Sequence, residues 1–145
     1  MNKLIAKSAA GLIAATLATS LGSFALADNS ATTEAVVNHH LGAFGAGDVD
    51  ALLSDYTAES VMITADGHLT GPDELRPAFE GLVAEFSKPG VIFEMQHMSV
   101  VDDVAYIVWN AETDDNIYQI GTDTFVVKDG KIMKQTFTTL TVSKK

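Results

Sequence analysis

The stretch IYQIGTDTFVVKDGKIMKQTFTTLTV, residues 117–142, decides the fold. β-Branched and aromatic residues crowd both of its halves, and between them stands Asp129-Gly130. That pair suits a two-residue hairpin turn, which needs positive φ at its centre. Residues 117–128 and 131–142 are therefore predicted to be long antiparallel strands. Toward the N-terminus, residues 104–112 and 91–100 are two more β-rich runs, separated by Val101-Asp102-Asp103 and by residues 113–116. Four long strands with short connections make an antiparallel meander.

Before Lys88-Pro89-Gly90 the period changes to that of a helix. Val37, His40, Leu41 and Phe44 fall on one stripe within residues 34–46, with Thr33 as a candidate cap and Gly45 and Gly47 bracketing the end. Asp48 is placed to cap a short second helix that carries Val49, Leu52, Leu53 and Tyr56. Val61-Met62-Ile63-Thr64 reads as a short strand running into an Asp66-Gly67 turn. Gly71-Pro72-Asp73-Glu74 opens a third helix with Leu75, Phe79, Leu82, Val83 and Phe86 on its apolar side, although Pro77 interrupts its hydrogen bonding. Helices first and strands after define an α+β class, with a single domain over residues 34–145 and a flexible leader over residues 28–33.

Residues 1–27 have a different composition. Lys3 and Lys7 lead a run of Ala, Leu, Ile, Gly, Ser and Thr without an acid, and Ala25-Leu26-Ala27 supplies the small-x-small pattern of a signal peptidase site. The expectation is a signal peptide cleaved after Ala27, a periplasmic or secreted protein, and no membrane association after cleavage.

The whole chain holds nineteen Asp and Glu against nine Lys and Arg, a net charge of −10, and no cysteine. Missing cysteine excludes disulfide scaffolds, thiolate metal sites and thiol nucleophiles. The acidic balance argues against nucleic acid, whose phosphates require a basic surface. Four histidines without HxxxH or HExxH spacing predict no metal site.

Within residues 104–112, Ala105, Ile107, Trp109 and Ala111 alternate with Tyr106, Val108, Asn110 and Glu112, so neither face is a plain solvent face. Helices can cover only one of them. The other is expected to meet a second copy, giving a homodimer through the sheet face.

Asp123 shares a strand face with Gly121 and Phe125, and an acid in such apolar company either needs a partner or has its pKa raised, which suits acid-base work; the competing reading is an outward-facing Asp in a solvated ladder. His40 lies on the apolar stripe of the first helix. It is read either as a hydrogen-bonded core residue or as a partner that the Asp123 carboxylate orients. Trp109, Tyr118, Phe125, Phe137 and Met62 are candidate pocket walls.

The order of elements, with AVVNHHLGAFGAGDVDALL at residues 35–53, Ser60-Val61, GPDELR at residues 71–76 and TDTFVV at residues 122–127 before Asp129-Gly130-Lys131-Ile132, resembles the nuclear transport factor 2-like superfamily. Its bacterial members include SnoaL-like polyketide cyclases and ketosteroid isomerases. The resemblance implies a cone-shaped, curved antiparallel β-sheet packed on N-terminal helices, enclosing a pocket for a small apolar molecule. In the isomerase branch a strand-one carboxylate is the base, and a tyrosine with a protonated aspartic acid forms the oxyanion hole. Carried onto this chain, His40 falls at the tyrosine, Thr64 at the base and Asp123 at the oxyanion acid. The implied function is proton transfer on an apolar carbonyl-type substrate without a cofactor. Asp123 and His40 would be the catalytic pair, and Trp109, Tyr118, Phe125, Met62, Thr64 and Phe137 would contact the ligand. The alternative is a non-catalytic ligand-binding or interaction module of the same fold.

Overall fold

The computed structural model describes residues 28–145, so the signal peptide expected over residues 1–27 lies outside the described residues. Helix α1 spans Ser30–Ala46, α2 Val49–Leu53 and α3 Gly71–Phe86. The strands are β1 Tyr56–Thr64, β2 Gly67–Thr70, β3 Ile92–Val101, β4 Val104–Glu112, β5 Asn116–Lys128 and β6 Lys131–Ser143.

Helix α1 begins at Ser30, so most of the expected leader over residues 28–33 is helical. The reason is a tether across the fold. The Thr33 hydroxyl donates to the Asp102 carbonyl at 2.7 Å, and the Asp102 N–H donates to the Ser30 hydroxyl at 2.9 Å. Thr33 is thus a buried anchor inside the helix rather than its cap. At the other end Gly47 adopts φ 73°, a left-handed conformation that suits glycine, and its N–H returns to the Phe44 carbonyl. Asp48 then caps α2 by accepting from the Ala51 N–H at 2.9 Å.

The sheet has six strands in the order β2-β1-β6-β5-β4-β3. β1 and β6 run parallel, and all other neighbours are antiparallel. Two features depart from the sequence reading. Tyr56, placed there on the second helix, opens β1; and residues after Asp66 form a further short strand, β2, rather than a turn alone. The Asp129-Gly130 turn has φ values of 52° and 73°, the primed geometry that matches strand twist.

Register shifts fall between Met95 and His97 on β3, Trp109 and Ala111 on β4, and Tyr118 and Ile120 on β5. The registers put the extra residues on β3 and β5, with none on β4, and these two bulges at nearly the same level help curl the sheet into an open cone. The sheet remains unclosed, so β2 and β3 are edges, and β3 carries Gln96 as the extra residue of its bulge.

On the concave side Val37, Leu52, Leu75 and Phe79 from the helices pack with Ile107, Phe125 and Ile132 from the sheet, all buried. Burying each such side chain stabilises the fold by roughly 1.5–3 kcal/mol. Gly121 permits one unusual contact. A Cβ there would lie 2.2 Å from the Trp109 ring, so only glycine lets the indole lie across β5.

Candidate functional site

The curvature leaves a cavity of about 360 Å³ between the concave face, α1 and α3. Its walls are largely aromatic, with Phe44 and Phe86 facing Trp109, Phe125 and Phe137. Asp123 and His40 also line it. Asp123 reaches this position because the register Ile107, Asp123, Phe137 runs straight across β4, β5 and β6. It is the one carboxylate among the lining residues.

Both oxygens of Asp123 are held. Trp109 donates its Nε1–H to Oδ2 at 2.9 Å, and Gln135 donates through Nε2 to Oδ1 at 2.8 Å. The other end of the Gln135 amide accepts from the Tyr56 hydroxyl at 2.5 Å. The Tyr56 oxygen lies 3.4 Å from His40 Nδ1. One continuous polar chain therefore runs along the cavity floor, His40, Tyr56, Gln135, Asp123, Trp109, in which Tyr56 lies behind the lining and the other four line the cavity. Among the described residues, no buried side-chain nitrogen or oxygen lacks a partner. Around the imidazole stand the rings of Tyr56, Phe79 and Phe125, with centroids 5.3 to 5.8 Å away and all edge-on.

Burial pushes the Asp123 carboxyl up to about 6, against the opposing pull of the Trp109 and Gln135 hydrogen bonds. Burial also drives His40 down to about 3, helped by the neighbouring His39, so the imidazole is neutral at physiological pH. Burial, and then the charges of Asp123 and Asp55, raise the Tyr56 hydroxyl well above its ordinary range. At neutral pH the floor thus holds an ionised but proton-accepting carboxylate beside groups that do not titrate.

Of the residues singled out from sequence, Asp123, His40, Met62, Trp109, Phe125 and Phe137 line the cavity. Tyr118 does not; its ring packs on Phe86 and Trp109 behind the wall, and its hydroxyl donates to Glu85 at 2.9 Å. Thr64 is also elsewhere, at the β1–β2 turn, where its hydroxyl accepts from the Asp66 N–H. His40 and Asp123 share the cavity without touching, because Tyr56 and Gln135 stand between them. His39, on the next position of the helix, pairs its Nδ1 with Asp55 at 2.8 Å.

Tyr56 was missed because Leu52, Leu53 and Tyr56 mimic a helical stripe. Alternation along β6 does not reveal Gln135, because the strand carries an extra residue between Ile132 and Lys134, opposite Val127 and Val126, so that Ile132 and Gln135 both face inward. Among the described residues no three His, Asp or Glu side chains gather as a metal site would require.

A curved, unclosed sheet over three helices defines an α+β protein of the nuclear transport factor 2-like fold. The chain belongs to the SnoaL-like domain family, which it matches over residues 37–135. Similar solved structures share the fold at low identity. A nuclear transport factor 2-like protein of unknown function from Mesorhizobium loti is 21% identical, with a TM-score of 0.66 over 79% of this chain and 96% of that one. The epoxide hydrolase/cyclase-like enzyme SalBIII, of pyran ring formation in the polyether salinomycin, is 18% identical, with a TM-score of 0.66 over 79% and 95%. A candidate ketosteroid isomerase from Kribbella flavida is 12% identical, with a TM-score of 0.65 over 81% and 84%. No curated protein matches the sequence.

Proposed function

We propose that this chain is an exported enzyme of the isomerase or cyclase kind that moves a proton on a small, largely apolar carbonyl-type substrate. The observation that carries this reading is Asp123: a single carboxylate lining an aromatic cavity, pushed up to about 6 by burial and fixed through both oxygens. A base with a pKa near the working pH combines a populated ionised form with a useful driving force for proton transfer. Each oxygen accepts one N–H and retains a lone pair. Asp123 would take a proton from carbon beside the carbonyl and return it at another position. The flat aromatic walls would hold the substrate and exclude water while it does so. No step of this proton transfer calls for a cofactor.

The reaction can be followed without knowing the product. In deuterium oxide, the wild-type protein should exchange the α-hydrogens of a small aryl ketone faster than buffer does. Asp123→Asn should slow that exchange by roughly 10²-fold or more, in line with the contribution of a positioned acid-base group. Equal rates in the two proteins would remove Asp123 from catalysis. The position of Thr64 outside the cavity favours a second reading, a binding protein without turnover, because no carboxylate stands at the strand-one position. Ketone binding without exchange in either protein would select it.

We further propose a homodimer joined through the convex face. Tyr106, Ile120, Leu140 and Val142 there are 40–57% exposed. They lie among Val108, Thr122, Thr124, Thr136 and Thr138, which carry no charge, in a chain of net charge −10. That uncharged patch is where two acidic molecules can approach at least electrostatic cost.

A further inference from the structure

The direction of the hydrogen bonds along the cavity floor fixes what the His40 end can offer a ligand. Asp123, ionised at neutral pH, can only accept, so the Gln135 amide turns its NH₂ toward it and its carbonyl toward Tyr56. The tyrosine has one proton. At 2.5 Å the Gln135 carbonyl claims it, because two unprotonated oxygens at that distance would repel. Tyr56 therefore meets His40 with a lone pair. A neutral imidazole carries a single N–H, and it must sit on Nδ1, since an unprotonated Nδ1 would set lone pair against lone pair across 3.4 Å. Nε2 is left bare.

That nitrogen has no hydrogen-bond partner among the described residues. Since none of their buried side-chain nitrogens and oxygens is unpaired, Nε2 must be open to the cavity that His40 lines. Yet the ring itself is only 5% exposed and is gripped on three sides by Tyr56, Phe79 and Phe125. It can neither swing away to find another partner nor flip without breaking the chain.

We propose that His40 determines specificity as a fixed hydrogen-bond acceptor, and that the ligand of this cavity is an apolar compound bearing a hydroxyl group, which it donates to His40 Nε2. On the reading given above, which this inference extends, the substrate class becomes a hydroxylated aromatic or alicyclic carbonyl compound. Asp123 handles its proton and His40 orients it. Occupancy by a purely apolar ligand leaves Nε2 dry and unpaired, and an unmet acceptor of this kind lowers affinity severalfold.

The test uses 2-naphthol, 2-methoxynaphthalene and naphthalene as probes, with binding measured by calorimetry. The wild type should prefer 2-naphthol over both others by about 5- to 10-fold, the span of one hydrogen bond. His40→Phe, which keeps an aromatic ring within the Tyr56, Phe79 and Phe125 cluster, should bind the three alike. Nitrogen NMR of labelled histidine in the ligand-free wild type gives a readout independent of any variant's folding. His40 should show a protonated Nδ1 and an unprotonated Nε2, and the Nε2 signal should move with 2-naphthol and not with its methyl ether. Equal affinity of the wild type for the three probes overturns the inference, and so does a proton found on Nε2. Deuterium exchange reports Asp123 separately. Absent exchange with the naphthol preference intact would sink the reaction and leave the acceptor standing, whereas failure of all three probes to bind would sink the cavity reading and this inference with it.

Discussion

Asp123 and His40 are buried to the same degree, and burial sets their acid responses against each other. Asp123 titrates near 4 in an unfolded chain and at about 6 when folded, so between those values only the unfolded state has lost the proton. Its contribution to stability falls as pH rises through that window. His40 has the opposite sign. Its ordinary value of 6.5 drops to about 3 on folding, so below 6.5 the unfolded state binds the proton first, and its contribution falls as pH drops. Between about pH 4 and 6 the two slopes, each roughly 1.4 kcal/mol per pH unit, cancel. Asp123→Asn should expose the histidine slope alone. Urea denaturation at pH 6, 5 and 4 should show the variant losing stability relative to wild type by about 1 to 3 kcal/mol across that interval. A constant difference would mean that Asp123 ionises in the folded protein as it does in water.

At the scale of elements, the tether between α1 and the β3–β4 turn explains a helix that starts earlier than its apolar period. Thr33→Val keeps the shape and removes the hydroxyl, leaving the Asp102 carbonyl without that donor. The expected cost is about 1–2 kcal/mol. Amide exchange should quicken first in the initial turn of α1 and at Asp102 and Asp103; unchanged exchange there would show that the tether does not hold the helix. Elements with local signatures were legible in the sequence. The Asp129-Gly130 hairpin, the Gly47 helix end and the Asp48 cap each follow from the dihedral or hydrogen-bonding demands of one or two residues. Asp123 was legible only in part: alternation with Gly121 and Phe125 set it on their face of the strand, and the family resemblance, not the spacing, turned that face toward the pocket. What escaped was set by distant partners. β2 is four mostly polar residues that become a strand by pairing with β1, and β1 joins β6 in parallel across most of the chain. The bond from Tyr56 to Gln135 spans 79 residues, and no spacing within either segment announces it.

For the molecule as a whole, the proposed dimer makes the convex face a place where one charge should suffice to separate the copies. Leu140, 57% exposed, has a side chain outside the core, so Leu140→Asp should leave the fold and cavity intact. Sedimentation should find the mass of two chains for wild type at micromolar concentration and of one for the variant; a monomeric wild type would remove the dimer. The open flank of the cone at β3 invites a different kind of association. A foreign strand laid along it would pair in phase only as far as Met95. There Gln96 throws the ladder of amides and carbonyls out of step, and Glu94 sets a negative charge on the approach. The irregularity that helps shape a hollow for a ligand therefore also denies the rim a template for endless stacking, so an unclosed sheet can persist in solution without seeding fibrils.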